Sequence, residues 1–338
     1  MTTAPRPTVH IVSNADEKFF PGLQVAIASA VAAASGKFDY HFYILDGGIA
    51  PKSMDALGAR IAHIATQRGM NATLETLKVD QSRLASLPQC RGSRMHYAKL
   101  LLPEILPHLN SIVYLDADVL CFAGIESVRA PLEQSDWLLA GALDFFDCIG
   151  KDCPWLDQLS RAERKMPYIN SGLMWMNLKK LRQTDFTNKA IIARSSIGIA
   201  KHADQAVFNF LCRGKSFILP SQYNHFTAIG TASRLWEGNL DLNLHYIGSP
   251  KPWLGAPTTS NWLAHRLWHH AHAALFPEAS KPTPVPPSDL AAFRRKARLY
   301  SWLNPLRGIH YRQCLRSLQD PGGLEAKAKS HWEKMLQL

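Results

Sequence analysis

The sequence predicts an α/β fold in which a mostly parallel sheet is flanked by helices and followed by a basic helical tail. Strand-like runs alternate with helix-like runs from Val9 onward, and the composition changes after Trp253. Alternating strands and helices indicate parallel strands, whose carboxyl ends share one edge of the sheet. We therefore expect ligand-binding side chains to gather at that edge.

The individual elements follow from local patterns of apolar residues. A β-branched run at 9–13 predicts the first strand, a polar loop carries Asn14 and Asp16, and an apolar segment after Pro21 predicts a buried helix to Ser35. The same reasoning predicts strands at 40–45, 72–79, 112–115 and 244–247, apolar segments at 137–143 and 169–178, and helices at 51–69, 97–109, 189–194 and 203–212.

Length and composition indicate an ordinary folded protein. The 338 residues suffice for one large domain with an appendage, and 46% hydrophobic content excludes disorder, collagen and coiled coil. Met1 to His10 lacks the features of a signal peptide, and no apolar run is long enough to span a bilayer, so we expect a cytoplasmic protein. The six cysteines form no C-x-x-C pair, which excludes a zinc ribbon and predicts free thiols.

A formal net charge of +11 favours an anionic partner. Nucleic acid, a lipid surface and a phosphorylated substrate all satisfy that condition, and charge alone does not choose among them. The sequence motifs are needed to distinguish among these three kinds of partner.

The motif Asp116-Ala117-Asp118 directly follows four apolar residues of a predicted buried strand. Adjacent carboxylates at a strand end repel each other unless a cation lies between them. Oxygen ligands of this kind suit Mn²⁺ or Mg²⁺, which can hold a diphosphate. A solvated loop pair is the alternative, but such a pair has no need to lie at the end of a core strand.

A second informative segment runs from His245 to Trp253. His245 lies in a short apolar strand, where a histidine is by default a hydrogen-bonded core residue. Here the strand leads into a loop stiffened by Gly248 and two prolines, and the loop carries Lys251. An imidazole on the metal and an ammonium on a phosphate would together form a diphosphate site.

Four motifs follow one another along the chain. They are Val-Tyr-Leu-Asp-Ala-Asp-Val-Leu at 113–120, Tyr-Ile-Asn-Ser-Gly-Leu-Met-Trp-Met-Asn-Leu at 168–178, Ala-Asp-Gln-Ala-Val-Phe-Asn at 203–209, and His-Tyr-Ile-Gly-Ser-Pro-Lys-Pro-Trp at 245–253. Ordered motifs at compatible spacing are more specific than any one alone. Together they resemble glycosyltransferase family eight, which includes bacterial lipopolysaccharide α-galactosyl- and α-glucosyltransferases and glycogenin. The resemblance spans roughly Val9 to Trp253.

The resemblance implies a GT-A type fold, a Rossmann-like mixed sheet with the nucleotide at its strand ends. It also implies roles for particular residues of this chain. These are Asp116, Asp118 and His245 on Mn²⁺, with Ala117 between the two aspartates; Gly248 and Lys251 on the phosphates; Asn14 and Asp16 on uridine; Lys99, where the family usually has arginine, near the donor; Asp144 and Asn170 on the donor-sugar hydroxyls; and Asp204 with Gln205 beside the anomeric carbon.

The implied activity is retaining transfer of galactose or glucose from a UDP-sugar to a glycan, such as the oligosaccharide of a lipopolysaccharide. Asp204 as nucleophile and front-face attack by the acceptor both fit these residues, as does glycogenin-like self-glucosylation. Two alternatives from other classes are metal-dependent nucleotidyl transfer and nucleic-acid binding. The chain has no recognisable nucleic-acid motif, so we expect no nucleic acid among its partners.

The chain is expected to divide into a catalytic domain, residues 1–255, and a basic, aromatic-rich helical region, residues 256–338, with a proline-rich linker near 277–287. The tail from Phe293 to Arg316 interleaves arginines with aromatic residues. It fits either an anionic lipid surface, with the protein peripheral on the inner face of the plasma membrane, or a docked helix with a solvated basic face. His265, His269 and His272 recur at helical spacing, which favours a basic amphipathic surface over a second metal site.

Overall fold

The structure, a computed structural model, describes most of the chain. The described residues are 5–89, 93–128, 135–196, 203–227, 240–278, 286–304, 308–309, 311–312, 315–316 and 322–336.

A seven-stranded mixed sheet forms the centre of the molecule. Its strands lie in the order β3-β2-β1-β4-β7-β6-β8. Strand β7 is antiparallel to both of its neighbours, β4 and β6, and the other pairs are parallel. The expected mixed α/β sheet is thus confirmed. The bounds are β1 Thr8–Ala15, β2 Asp39–Asp46, β3 Ala72–Lys78, β4 Ile112–Leu115, β6 Leu139–Cys148, β7 Pro167–Met176 and β8 Ser216–Leu219.

A second, three-stranded sheet brings distant segments to the end of β4. Strand β5 (Val119–Cys121) begins directly after Asp118 and pairs antiparallel with β10 (Asn243–His245), which also pairs parallel with β9 (His225–Phe226). In this register Val119 is opposite His245. The pairing therefore sets a histidine from far along the chain beside the aspartate motif.

Helices α1 and α2 connect the first parallel strands, and each begins with a proline in its first turn. Helix α1 (Phe20–Ala33) is buried along nearly its whole length, whereas α2 (Pro51–Gln67) is amphipathic and buries one face. Proline suits this position because the first N–H groups of a helix lack intrahelical partners. The remaining described helices are α3 Leu102–Ile105, α4 Leu178–Gln183, α5 Phe186–Ser195, α6 Ala203–Leu211, α7 Trp262–Leu275, α8 Leu290–Leu303 and α9 Gly322–Leu336.

The helix expected from Tyr97 to Leu109 is mostly a different structure. Residues Met95–Leu101 form a 3-10 helix, and the α-helical part is the single turn α3. Pro107 disfavours the α conformation for the residue before it, and Leu106 indeed has φ −117° and ψ 63°. Pro107 thus ends the predicted helix early, whereas Pro103 lies in the first turn of α3, where proline is tolerated.

The C-terminal helices pack on the same core as the sheet. Trp332 of α9 is fully buried, with its ring 5.1 Å from that of Phe122, and Arg266 of α7 forms a two-pronged salt bridge with Glu325 of α9. Helix α8 buries Phe293 and Ala297. None of the helices in the described ranges is both long and apolar enough to cross a membrane.

Candidate active site

Two carboxylates and an imidazole meet at the end of β4. One potential ligand atom from each of Asp116, Asp118 and His245 lies within 4.8 Å of the others. His245 Nε2 is 3.2 Å from Asp118 Oδ1, and its buried Nδ1 has no hydrogen-bond partner among the described residues. This mixture of oxygen and nitrogen donors fits a divalent cation. The structure therefore brings together the three residues that the sequence singled out as metal ligands.

Gly172 on β7 makes room for this cluster. A Cβ atom built on Gly172 would lie 2.2 Å from Cε1 of His245, far inside any allowed contact. Its carbonyl oxygen accepts a 2.7 Å hydrogen bond from the Asp116 N–H, and its own N–H donates to Asn170 Oδ1 at 2.9 Å. One peptide segment thus fixes an aspartate, a histidine and an asparagine of the site.

Lys251 joins the cluster through Asp118. Lys251 is 5% exposed, and its ammonium contacts Asp118 Oδ2 and donates a 2.5 Å hydrogen bond to the Tyr246 carbonyl. Burial alone would raise the pKa of Asp118, but the attraction of Lys251 and His245 outweighs it and holds that pKa far below its usual value. Asp118 is therefore ionised, with the Lys251 ammonium as its counterion.

Lys99 occupies the other side of the site, between two carboxylates. Its Nζ is 2.8 Å from Asp204 Oδ2 and 3.4 Å from Asp116 Oδ1, and it lies 4.5 Å from the centre of the Tyr114 ring. Burial opposes its charge, but Asp116 and Asp204 raise the pKa of Lys99. Burial raises the pKa of Asp116, although Lys99 opposes the shift, whereas Lys99 lowers the pKa of Asp204 against burial. Lys99 therefore stays charged and keeps Asp204 ionised.

A chain of amides and carboxylates continues from β7 to α6 and β6. Asn170 Nδ2 donates to Asp144 Oδ2 at 2.8 Å, and Gln205 Nε2 reaches the same oxygen at 3.2 Å. Gln205 Oε1 accepts the Ser171 N–H at 3.0 Å. The four residues expected beside the donor sugar, which also include Asp204, thus lie in one connected network with Lys99.

Asn14 lies within β1, so the loop that was expected to carry both Asn14 and Asp16 begins only after Ala15. The Tyr114 hydroxyl donates to Asn14 Oδ1 at 2.8 Å, and Asn14 Nδ2 donates to the Met95 carbonyl at 2.9 Å. Asp16 instead accepts the Phe19 N–H at the start of α1. Gly248 lies in the exposed loop beyond β10 with φ +79°, a conformation that side-chain-bearing residues rarely adopt.

Sequence reasoning missed several residues that support the site. Gly172, Ser171 and Tyr114 stand inside the motifs but received no role, because a glycine or serine in an apolar strand gives no chemical signal by itself. Asn224, which donates to Asn170 Oδ1 at 2.8 Å, lies in no quoted motif. Because Tyr223 precedes Asn224 and a histidine follows it, the local sequence is that of an ordinary polar turn.

The histidines of α7 are not a basic surface, so that expectation was wrong. His265 is 2% exposed, with Nε2 3.2 Å from the Pro250 carbonyl, and His272 stacks on Trp268 with ring centres 5.2 Å apart. Burial lowers the pKa of both His265 and His269 to about 4. The prediction that these histidines share one face of a helix was correct, but that face of α7 packs against the rest of the protein instead of facing solvent.

Comparisons with known proteins agree with this architecture. Glycosyl transferase family 8 matches residues 10–256. The chain is 28% identical over 262 residues to a lipopolysaccharide 1,2-glucosyltransferase of Escherichia coli strain K12, with 72% of each chain covered. It is 24% identical over 264 residues to a probable galacturonosyltransferase-like protein of Arabidopsis thaliana, with 73% of this chain and 71% of that protein covered.

Solved structures show the same fold. The galactosyltransferase LgtC, in complex with donor and acceptor sugar analogues, aligns with TM-score 0.60 and 23% identity over 84% of this chain and 99% of that one. The bifunctional glycosyltransferase WbbM aligns with TM-score 0.61 and 16% identity over 81% of this chain, which spans about half (51%) of that protein. Fold and site define a GT-A type glycosyltransferase. The chain belongs to glycosyltransferase family 8.

Proposed function

We propose that the protein is a retaining hexosyltransferase that moves galactose or glucose from a UDP-sugar to a glycan acceptor. The observation that carries the proposal is the cluster of Asp116, Asp118 and His245, with the Lys251 ammonium in contact with Asp118. Carboxylates for a divalent cation and a neighbouring lysine match the charge pattern of a bound diphosphate.

The leaving diphosphate requires positive charge that does not depend on proton transfer. A divalent cation, Mn²⁺ or Mg²⁺, would be held by Asp116, Asp118 and His245 and would supply electrostatic stabilisation of the departing UDP. Lys251 adds a second positive charge from the loop that also carries Gly248. Asn14 and Asp16 are proposed to bind the uridine, and the Tyr114 hydroxyl holds the Asn14 amide in place.

The donor hexose is proposed to lie over Asp144, Asn170 and Gln205. Their mutual hydrogen bonds fix the side chains before the sugar arrives, which lowers the cost of ordering them on binding. Lys99 keeps Asp204 anionic beside this network. An anion there supports transfer either as nucleophile or by stabilising the sugar cation during front-face attack.

The acceptor is proposed to be the oligosaccharide of a lipopolysaccharide or another cell-surface glycan. The support is the similarity to a lipopolysaccharide glucosyltransferase. Helix α8 adds a physical reason for a lipid-linked acceptor, because it exposes Trp302 (86%), Leu303 (59%) and Leu299 (54%). Aromatic and apolar side chains on a helix with arginines suit the surface of an anionic membrane. We therefore propose that the protein acts on the cytoplasmic side, in peripheral contact with the inner face of the plasma membrane.

The test is a panel of UDP-sugars incubated with Mn²⁺, with and without candidate oligosaccharides. We expect slow UDP release from UDP-galactose or UDP-glucose that accelerates with the right acceptor. Asp116→Asn and His245→Ala should each reduce the release at least about 100-fold. Near-normal turnover by both variants would refute the metal assignment. Release of pyrophosphate from UTP in a parallel incubation, with no UDP released from any UDP-sugar, would indicate nucleotidyl transfer.

A further inference from the structure

Asn224 is hydrogen-bonded to the proposed donor-sugar network, although it lies in none of the four sequence motifs. It ends the 3-10 turn Ser221–Asn224, which leads into β9. The side chain is 2% exposed, and its Nδ2 donates a 2.8 Å hydrogen bond to Asn170 Oδ1. The contact joins residues that are far apart in the sequence.

Three hydrogen bonds fix which way the Asn170 amide faces. The Gly172 N–H points at Asn170 Oδ1 from 2.9 Å, and the Asp144 carboxylate accepts from Asn170 Nδ2 at 2.8 Å. A backbone N–H can only donate, so the amide oxygen must face Gly172, which leaves the nitrogen facing Asp144. Asn224 supplies the second donor to that oxygen.

The stability of the turn does not account for an amide at this position. Asn224 Oδ1 is buried and has no hydrogen-bond partner among the described residues. An unsatisfied buried acceptor is destabilising, and an apolar residue of similar volume would avoid that cost. What the apolar residue could not provide is the N–H directed at Asn170.

We propose that Asn224 is a positioning residue for recognition of the donor hexose. It holds the Asn170 amide, and through it the Asp144 carboxylate, in the orientation that reads the sugar hydroxyls. The proposal rests on the proposed function, in which Asn170 and Asp144 bind the donor sugar. A pocket that recognises hydroxyls by hydrogen bonds discriminates strongly between sugars only while its own polar groups are held in place.

The isosteric change Asn224→Asp tests the proposal. It puts an acceptor where the donor stood, opposite Asn170 Oδ1, so the two oxygens repel and the Asn170 amide is displaced from Gly172 and Asp144. We expect kcat/KM for the preferred UDP-hexose to fall about 10- to 100-fold and the preference between UDP-glucose and UDP-galactose to fall about 10-fold. The affinity for UDP alone, measured by calorimetry, should change less than about twofold, because UDP has no hexose to recognise.

The matched control is Asn209→Asp. Asn209 is equally buried and holds the backbone of Ile169, next to Asn170, through its Oδ1 at 2.7 Å and its Nδ2 at 2.8 Å. This change disturbs the same strand without touching the Asn170 side chain, so it should lower the melting temperature while the preference between the two donors stays intact. Asn224→Ala, which removes the donor without adding charge, covers the case in which the aspartate variant does not fold.

The outcomes separate the two proposals. A wild-type enzyme that releases no UDP from any UDP-hexose refutes the proposed function itself. A wild-type enzyme with a clear donor preference that is unchanged in Asn224→Asp and Asn224→Ala overturns only the role of Asn224. An equal loss of preference in Asn209→Asp also overturns it, since a general structural effect would then be sufficient.

Discussion

The candidate active site and helix α8 both carry positively charged side chains, but the two regions hold these charges in opposite ways. Lys99 and Lys251 are 3% and 5% exposed, and each contacts a carboxylate. On α8, Arg294, Arg295 and Arg298 are exposed to solvent. A buried charge depends on its specific partners, and removing one partner is costly, whereas exposed charges act mainly through their number and are screened by salt.

The largest effect is expected from a change that adds no charge at all. Gly172→Ala would place a methyl group 2.2 Å from the His245 ring and displace it from the aspartates. We expect Mn²⁺ affinity to fall about 10- to 100-fold or more, measured by calorimetry. Gly58→Ala is the matched control, because nothing lies within 4 Å of its added carbon. An unchanged Mn²⁺ affinity in Gly172→Ala would contradict the crowding seen here.

Lys99→Met tests how strongly a buried charge of the active site depends on its partners. It leaves Asp116 and Asp204 close together without their shared cation, so the free energy of unfolding should fall by about 3 kcal/mol at neutral pH, measured in urea. Lys99→Arg retains the charge and should cost less. The loss should shrink in acid, where the carboxylates are protonated and no longer need a cation. A loss independent of pH would indicate a packing defect instead.

His265 makes stability depend on pH. Burial lowers its pKa from 6.5 to about 4, so the unfolded chain takes up a proton at higher pH than the folded protein does. Stability is therefore complete above pH 6.5 and falls as the pH drops towards 4, by about 2–3 kcal/mol for this residue. His269 adds to the same trend, and the charges that face His265 are those of His269 and Lys251.

Unfolding in urea across this pH range should show a flatter profile for His265→Gln than for the wild type. The corresponding change at the exposed His63 should leave the profile unchanged. Parallel profiles for the wild type and His265→Gln would rule out His265 as the source.

The smallest effects are expected on α8. Each of Arg294→Gln, Arg295→Gln and Arg298→Gln should weaken binding to anionic vesicles by about 1 kcal/mol, additively and with strong dependence on salt. Protein stability should change by less than about 0.5 kcal/mol, since these side chains are exposed. Lys189→Gln on α5, also exposed, should not affect vesicle binding. Retained binding in the triple variant would refute the membrane surface.

Much of the fold was readable from local patterns. The strand predicted at 40–45 is observed as Asp39–Asp46, and the Asp116 motif does lie at the end of a buried strand. The antiparallel direction of β7 was not readable, because strands buried on both faces are continuous apolar runs whichever way they point. The α7 histidines were misassigned for a similar reason, since spacing defines a helix face but not what packs on it.

The site was predictable to the extent that its residues carry chemistry in their own motifs. Asp116, Asp118 and His245 were named from the sequence and meet in space. The contact of Lys251 with Asp118 and the hydrogen bond from Asn224 to Asn170 depend on tertiary packing between segments far apart in the chain. Such contacts leave no local pattern.

The backbone at Gly172 has a thermodynamic consequence. Its carbonyl accepts a hydrogen bond from the N–H of Asp116, and its N–H donates to the side chain of Asn170. The proposed cation site and the proposed hexose site therefore share one peptide segment. A ligand that orders this segment at one site therefore lowers the cost of ordering it for a ligand at the other site. Linkage makes such coupling reciprocal. Mn²⁺ should therefore raise the affinity of the protein for the intact nucleotide sugar by a larger factor than it raises the affinity for UDP. The cation would then be bound most tightly when a transferable hexose is present.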